Sequence, residues 1–179
     1  MTESTRTTDP DPATDESTVS RVTAGVTTPL RVTGFFATVI GAALMGVGAL
    51  MQWLTVDLHS PGDVTGVLNN HYKGIDTRNG KMALAAAAVL LVGVMILRVV
   101  RSGSARKVVA IAMIAAAVGG LAYTVAFLVD AGQRYLGNPG YTAKLGIGVL
   151  ITLAGAVVGL LGAILDLAWA VSPQPASTH

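Results

Sequence analysis

The sequence predicts an all-α membrane protein, a four-transmembrane-helix bundle preceded by a disordered N-terminal tail. Three observations predict it. Four apolar runs, residues 34–56, 82–100, 108–129 and 145–165, contain a single charged residue, Arg98. Each run matches the roughly 20 residues that a helix needs to cross a hydrocarbon core about 30 Å thick. The chain is 52% hydrophobic and 12% charged, whereas a soluble domain carries about 25% charged residues.

Residues 1–31 are rich in Thr, Ser, Asp and Pro and nearly lack large apolar side chains. Such a segment buries too little surface to offset the entropy of ordering it, so disorder is expected. The first apolar run follows this long polar stretch, unlike a signal peptide with its short basic start, and no cleaved signal is expected. Arg31 leads into span one (34–56), placed to anchor among the headgroups. The span closes with Gln52 and Trp53, and a tryptophan there suits the aromatic belt of a membrane surface.

The loop 57–80 carries two turn signals, Pro61-Gly62 and Asn79-Gly80, and a short mixed patch over 64–68 that either pairs as a strand or packs on helix ends. Span two (82–100) ends with Arg98, whose long stem reaches the interface. The connector 101–107 is short, which makes spans two and three antiparallel neighbours. Span three (108–129) is followed by a loop with Asn138-Pro139-Gly140 as its turn. Span four (145–169) passes Asp166 and Trp169 before Pro173 and Pro175 stop any helix, leaving 172–179 as a short tail.

Orientation follows from the Lys and Arg near the span ends. Arg98, Arg101, Arg106 and Lys107 lie together with no acid among them, whereas the other two loops mix cations with Asp57, Asp63, Asp76 and Asp130. Both termini and the 101–107 connector are therefore expected in the cytoplasm, with the protein in the plasma (inner) membrane.

Helices in lipid associate through small residues that let backbones approach. Span four offers Gly155, Gly159 and Ala163 at spacing four. Span three offers Ala112, Ala116 and Gly120, with Gly119 beside the last. Span one offers Ala37 with Gly41 and Ala42 with Gly46. The Gly155/Gly159 pair reads either as a seam between two copies of the chain or as a contact inside one bundle, so a homo-oligomer stays open. Asp166 is the carboxylate at membrane depth, with Arg98 and Arg101 as ion-pair candidates and Arg106 and Lys107 close by in the topology. It reads either as an ion or proton site or as a salt bridge that sets helix register.

Candidate chemistry is sparse. His59, His71, Asp57, Asp63 and Asp76 share one loop, but their spacing matches no metal-ligand pattern. No serine elbow, phosphate loop or HExxH motif is present, so no cofactor, metal or catalytic residue is assigned. The absence of cysteine excludes disulfides and thiolate chemistry. A net charge of +2 with scattered basic residues gives no nucleic-acid footprint. Thr7, Thr8 and Thr14 among the acids of the tail are phosphorylation candidates.

The span ending Gln52-Trp53-Leu54, the stretch Gly74-Ile75-Asp76 through Asn79-Gly80-Lys81, and the Ala/Val-rich second span resemble small four-span membrane proteins of actinobacterial type. The resemblance covers residues 34–171 and implies a fold and a compartment, with no activity attached. The layout is also similar to the claudin-like class, which relies on a cysteine pair in its first outer loop that this chain lacks. The expected function is that of a non-enzymatic accessory or scaffold protein binding partner membrane proteins. The alternatives are a small transporter or channel component with Asp166 at its polar site, and a membrane enzyme using the loop His/Asp set.

Overall fold

A computed structural model of the protein describes the backbone of residues 13–58, 68–135 and 141–172, and side chains over 32–56, 71–135 and 143–172. Four helices are each long and apolar enough to cross a membrane. They are α1 (Ala13–Leu50), α2 (Arg78–Val99), α3 (Gly103–Tyr135) and α4 (Ile147–Val171). Each packs on the next in chain order, and α4 closes back on α1 in the most extensive contact of the bundle. The predicted four-span helical architecture is thus observed.

In α1 the membrane-length portion is Val32–Leu50. The helix also runs back to Ala13, into the segment whose composition favours disorder. A helix already formed extends by one hydrogen bond per residue without the cost of a new nucleus. Residues 1–12, which include Thr7 and Thr8, lie outside the described residues, as does the side chain of Thr14.

Span one does not continue to residue 56. The helix ends at Leu50, and β1 (Gln52–Leu58) follows at once. β1 is the central strand of an antiparallel sheet, between β2 (Leu68–Lys73) and β3 (Tyr141–Leu145). Its register sets Thr55 opposite His71 on one side and Lys144 on the other. The aromatic and β-branched residues Trp53, Thr55 and Val56 favour extended chain. Leu54 and Val56 turn inward while Thr55 between them is partly exposed, the period of a half-buried strand. An irregularity between Gln52 and Leu54 breaks that period and brings Trp53 inward as well. Leu145, expected to open span four, is the last residue of β3, and α4 begins at Ile147.

The sheet lies at the bundle end where α1 and α3 finish and α2 and α4 start. The α2–α3 connector lies at the opposite end. Asn79-Gly80 forms no turn of its own but sits in the first turn of α2. Thr77 caps that helix by accepting the Gly80 amide at 3.0 Å. Asp76 accepts from the Lys73 amide at 3.1 Å, closing a short 3₁₀ turn over Gly74–Asp76.

Two apolar clusters fill the interior. One runs along the membrane portion and joins Met45, Leu90, Val94, Leu97 and Met113. The other lies under the sheet and joins Trp53, Leu54, Val56, Phe127 and Val149.

Candidate functional site

The α1–α4 contact is backbone against backbone. Gly34, Gly41 and Gly48 recur every seven residues on α1, and Gly148, Gly155 and Gly162 do so on α4. A seven-residue repeat keeps one helix face on its partner. A β-carbon on Gly41 would overlap the backbone of Gly159, and one on Gly155 would come 2.5 Å from the Met45 amide nitrogen. Gly155 and Gly159 therefore face α1 of their own chain. Ala163 is fully buried in the same membrane cluster. Gly120 receives the Met45 side chain. Gly119 has nothing within 4 Å of its would-be β-carbon, and Gly46 only the tip of Leu84 at 4.0 Å, so neither is a close-approach position.

At the connector end this seam finishes in a polar pair. Asp166 is 1% exposed. Its Oδ2 accepts a hydrogen bond from Thr38 Oγ1 at 3.1 Å. A β-carbon on Gly34 would come 2.8 Å from Oδ1 of the same carboxylate. Helix α1 thus supplies both the donor and the room for a carboxylate that burial would otherwise penalise.

Arg98 lies within electrostatic reach of Asp166. Its guanidinium sits over two rings, 4.6 Å from the Phe35 centroid and 5.9 Å from that of Trp169. Arg106 covers Trp169 as well, at 4.9 Å, and its Nε donates to the Val100 carbonyl at 2.8 Å. Each such cation–π contact contributes about 0.5–2 kcal/mol. Phe35, Arg98, Arg106 and Trp169 come from α1, α2, α3 and α4 in turn, so one cluster ties all four helices at this end. Arg101 stands apart, exposed in the connector. Sequence reasoning paired Asp166 with cations and did not single out Thr38 or Phe35. The available signal was the heptad of glycines, which puts both residues on or beside the α4-facing stripe.

The sheet end has a different chemistry. Trp53 is fully buried, and its Nε1–H donates to the Gly48 carbonyl at 2.8 Å. Its ring meets Phe127 edge-on with centroids 4.9 Å apart. The expected place in the lipid interface is therefore corrected: Trp53 plugs the bundle beneath the sheet. Beside it lies a cleft of about 410 Å³ with Tyr72, Arg78, Asn79, Asp130, Arg134 and Tyr135 in its walls. Arg134 Nε donates to Asp130 Oδ1 at 2.7 Å on its exposed rim. Of the loop His/Asp set, His71 Nδ1 lies 2.9 Å from Gln52 Nε2, and Asp76 is spent on its 3₁₀ turn. His59 and Asp63 lie outside the described residues, as does the side chain of Asp57. Among the described residues, no three His or acidic side chains converge as a metal site would require.

Comparison of the sequence with protein-family models and with curated proteins finds no match.

Proposed function

We propose that the protein is a non-enzymatic accessory subunit of the bacterial plasma membrane that binds partner membrane proteins. In this reading the termini and the α2–α3 connector are cytoplasmic, and the sheet with its cleft faces outward. The observation that carries it is the bonding of the buried polar side chains. Among the described residues these are Thr38, Thr124, Thr152 and Asp166. Thr124 and Thr152 donate to the carbonyls of Gly120 and Gly148 in their own helices, each at 2.8 Å. Thr38 and Asp166 bond to each other. A permeation path needs polar groups that face a route across the membrane, and these face one another or their own backbone. The chemistry open to a partner lies in the cleft beyond the membrane, where tyrosines, two arginines and an aspartate meet.

The test is purification of the full chain from its own membranes in mild detergent, beside two variants. A partner membrane protein is expected to co-purify with the wild type and with Asp166→Asn, and to be lost from Arg78→Glu/Arg134→Glu. A partner-free monomer, or an ion flux in liposomes that Asp166→Asn abolishes, would overturn the proposal in favour of the transporter alternative.

A further inference from the structure

Tyr72 of β2, residues 77–79 at the start of α2 and one face of α3 form the walls of the cleft at the sheet end. The α3 residues are Phe127, Asp130, Ala131, Arg134 and Tyr135, three and four apart, as a single helix face requires. The floor is apolar, since Leu54, Phe127 and Ala131 are all buried. The rim is polar and open, with Tyr72, Arg78, Asp130 and Arg134 exposed. A volume of about 410 Å³ stands near the lower end of the range of about 300–1,000 Å³ for small-molecule sites. That is room for the end of a chain and not for a folded surface.

The charges of the rim do not cancel. Arg134 gives its Nε to Asp130 Oδ1 at 2.7 Å on their own helix. Arg78, on the α2 wall, makes no side-chain hydrogen bond or ion pair among the described residues. Two guanidiniums against one carboxylate leave the cleft with one positive charge. A guanidinium takes up a carboxylate through two parallel N–H donors. The occupant that fits is therefore an apolar group bearing one carboxylate. The last residue of a polypeptide carries both on a single carbon, whereas an internal acid needs a second, apolar residue beside it.

We infer that the cleft captures the C-terminus of a partner membrane protein. The free α-carboxylate lies on Arg78, and an apolar last side chain lies on Leu54, Phe127 and Ala131. This rests on the reading of the protein as an accessory subunit and names the part of the partner it holds. The partner's C-terminus then lies on the sheet side of the membrane.

The test starts from random heptapeptides displayed through their N-termini, selected on the full-length protein in phosphatidylcholine nanodiscs and on empty nanodiscs. Peptides ending in an apolar residue are expected to be enriched by the protein. The best of them is then synthesised as the free acid, as its C-terminal amide, and with glycine as its last residue. By fluorescence polarisation, the amide and glycine forms should each bind about tenfold more weakly or worse. Arg78→Gln, an exposed position, should bring the free acid down to the amide and leave the amide unchanged. Asp130→Asn, which removes the negative charge of the rim, should tighten the free acid alone. No enrichment over empty nanodiscs, or equal binding of acid and amide, would overturn the inference. So would equal weakening of both forms by Arg78→Gln, the mark of a damaged fold, or displacement of the peptide by equimolar N-acetylleucine, which would assign the cleft to a free carboxylic acid. If such a result came while a partner still co-purified and was lost from Arg78→Glu/Arg134→Glu, C-terminal capture would fall and the accessory role would stand. Binding of the free acid with no co-purifying partner would overturn the accessory role and keep the site.

Discussion

Thr38 and Asp166 stand 128 positions apart in the chain and meet at 3.1 Å, hydroxyl to carboxylate, where α1 crosses the end of α4. Both are essentially unexposed, and a β-carbon at Gly34 would come 2.8 Å from the other carboxylate oxygen. Thr38→Val keeps the shape and removes the donor. A buried acceptor that loses its partner costs about 1–3 kcal/mol, more when it is charged. We expect Thr38→Val to lower the thermal unfolding midpoint in detergent clearly, and Thr38→Ser to lower it less. Equal midpoints for Thr38→Val and the wild type would show that the hydrogen bond contributes nothing.

Gly41 and Gly119 make a matched pair of tests. A methyl group on Gly41 runs into the backbone of Gly159, which cannot swing aside as a side chain can, whereas one on Gly119 meets nothing within 4 Å. Overfilling a close contact costs about 1–3 kcal/mol, and replacing a helical glycine by alanine otherwise gains up to about 1 kcal/mol. Gly41→Ala should therefore destabilise the bundle while Gly119→Ala is neutral or slightly stabilising. Denaturation followed by circular dichroism reads both. Equal effects would mean that α1 and α4 are not in backbone contact.

The four helices were legible because run length in a membrane is a direct physical requirement, and four runs met it. The sheet was not. Trp53, Leu54 and Val56 continue the hydrophobicity of the residues before them, so an apolar count carries the helix six residues too far. Their alternation with Thr55 was the readable signal, and it is only one strand long. Asn79-Gly80 read as a turn because that dipeptide favours one, yet Thr77 captures the Gly80 amide and starts a helix there. Small residues at spacing four include Gly155, Gly159 and Gly41, which lie at the α1–α4 contact, and Gly46, which does not; Gly119, beside the spacing-four residue Gly120, is not at close approach either. The seven-residue glycine repeat on α1 and α4 includes Gly41 and Gly155 and leaves out Gly46. The Asp166 surroundings were half legible: an isolated acid announces a need for partners, but which helix supplies them depends on a register no single span contains.

The placement of Trp53 has a spectroscopic consequence. The chain has two tryptophans, and Trp169→Phe leaves Trp53 alone. A ring with no exposed surface, packed on Phe127 and bonded to Gly48, should emit at short wavelength. Brominated phospholipids and aqueous acrylamide should both quench it weakly. Strong quenching by the brominated lipid would return Trp53 to the membrane interface. Trp53→Ala should cost about 3–5 kcal/mol through the void it leaves under the sheet.

The sheet itself can be fixed covalently, since the chain has no cysteine to interfere. Thr55 faces Lys144 across the β1–β3 pair, and directly opposed residues in such a pair have Cα atoms about 4.5–5.5 Å apart. Thr55→Cys/Lys144→Cys should form a disulfide under mild oxidation, detected as a gel shift that reductant reverses. Leu58 faces Tyr141 at the far end of the same pair, so Thr55→Cys/Tyr141→Cys should not. Cross-linking of both pairs to the same extent would mean that the loops meet without a fixed register.

Orientation follows from the same cysteine-free background. Lys73 ends β2 and Lys144 lies in β3, both exposed and both at the sheet end. Ser102 is exposed in the α2–α3 connector at the other end. With the cation-dense connector in the cytoplasm, the orientation we propose from the clustering of Lys and Arg there, a membrane-impermeant maleimide on intact cells should label Lys73→Cys and Lys144→Cys. It should label Ser102→Cys only after permeabilisation. The reverse pattern would invert the protein and move the cleft between Arg78 and Arg134 to the cytoplasmic side, where its partners would have to be soluble or cytoplasmic domains. Labelling of all three in intact cells would be incompatible with the single crossing that α2 and α3 each make between the two ends, and the four-span arrangement would fall with it.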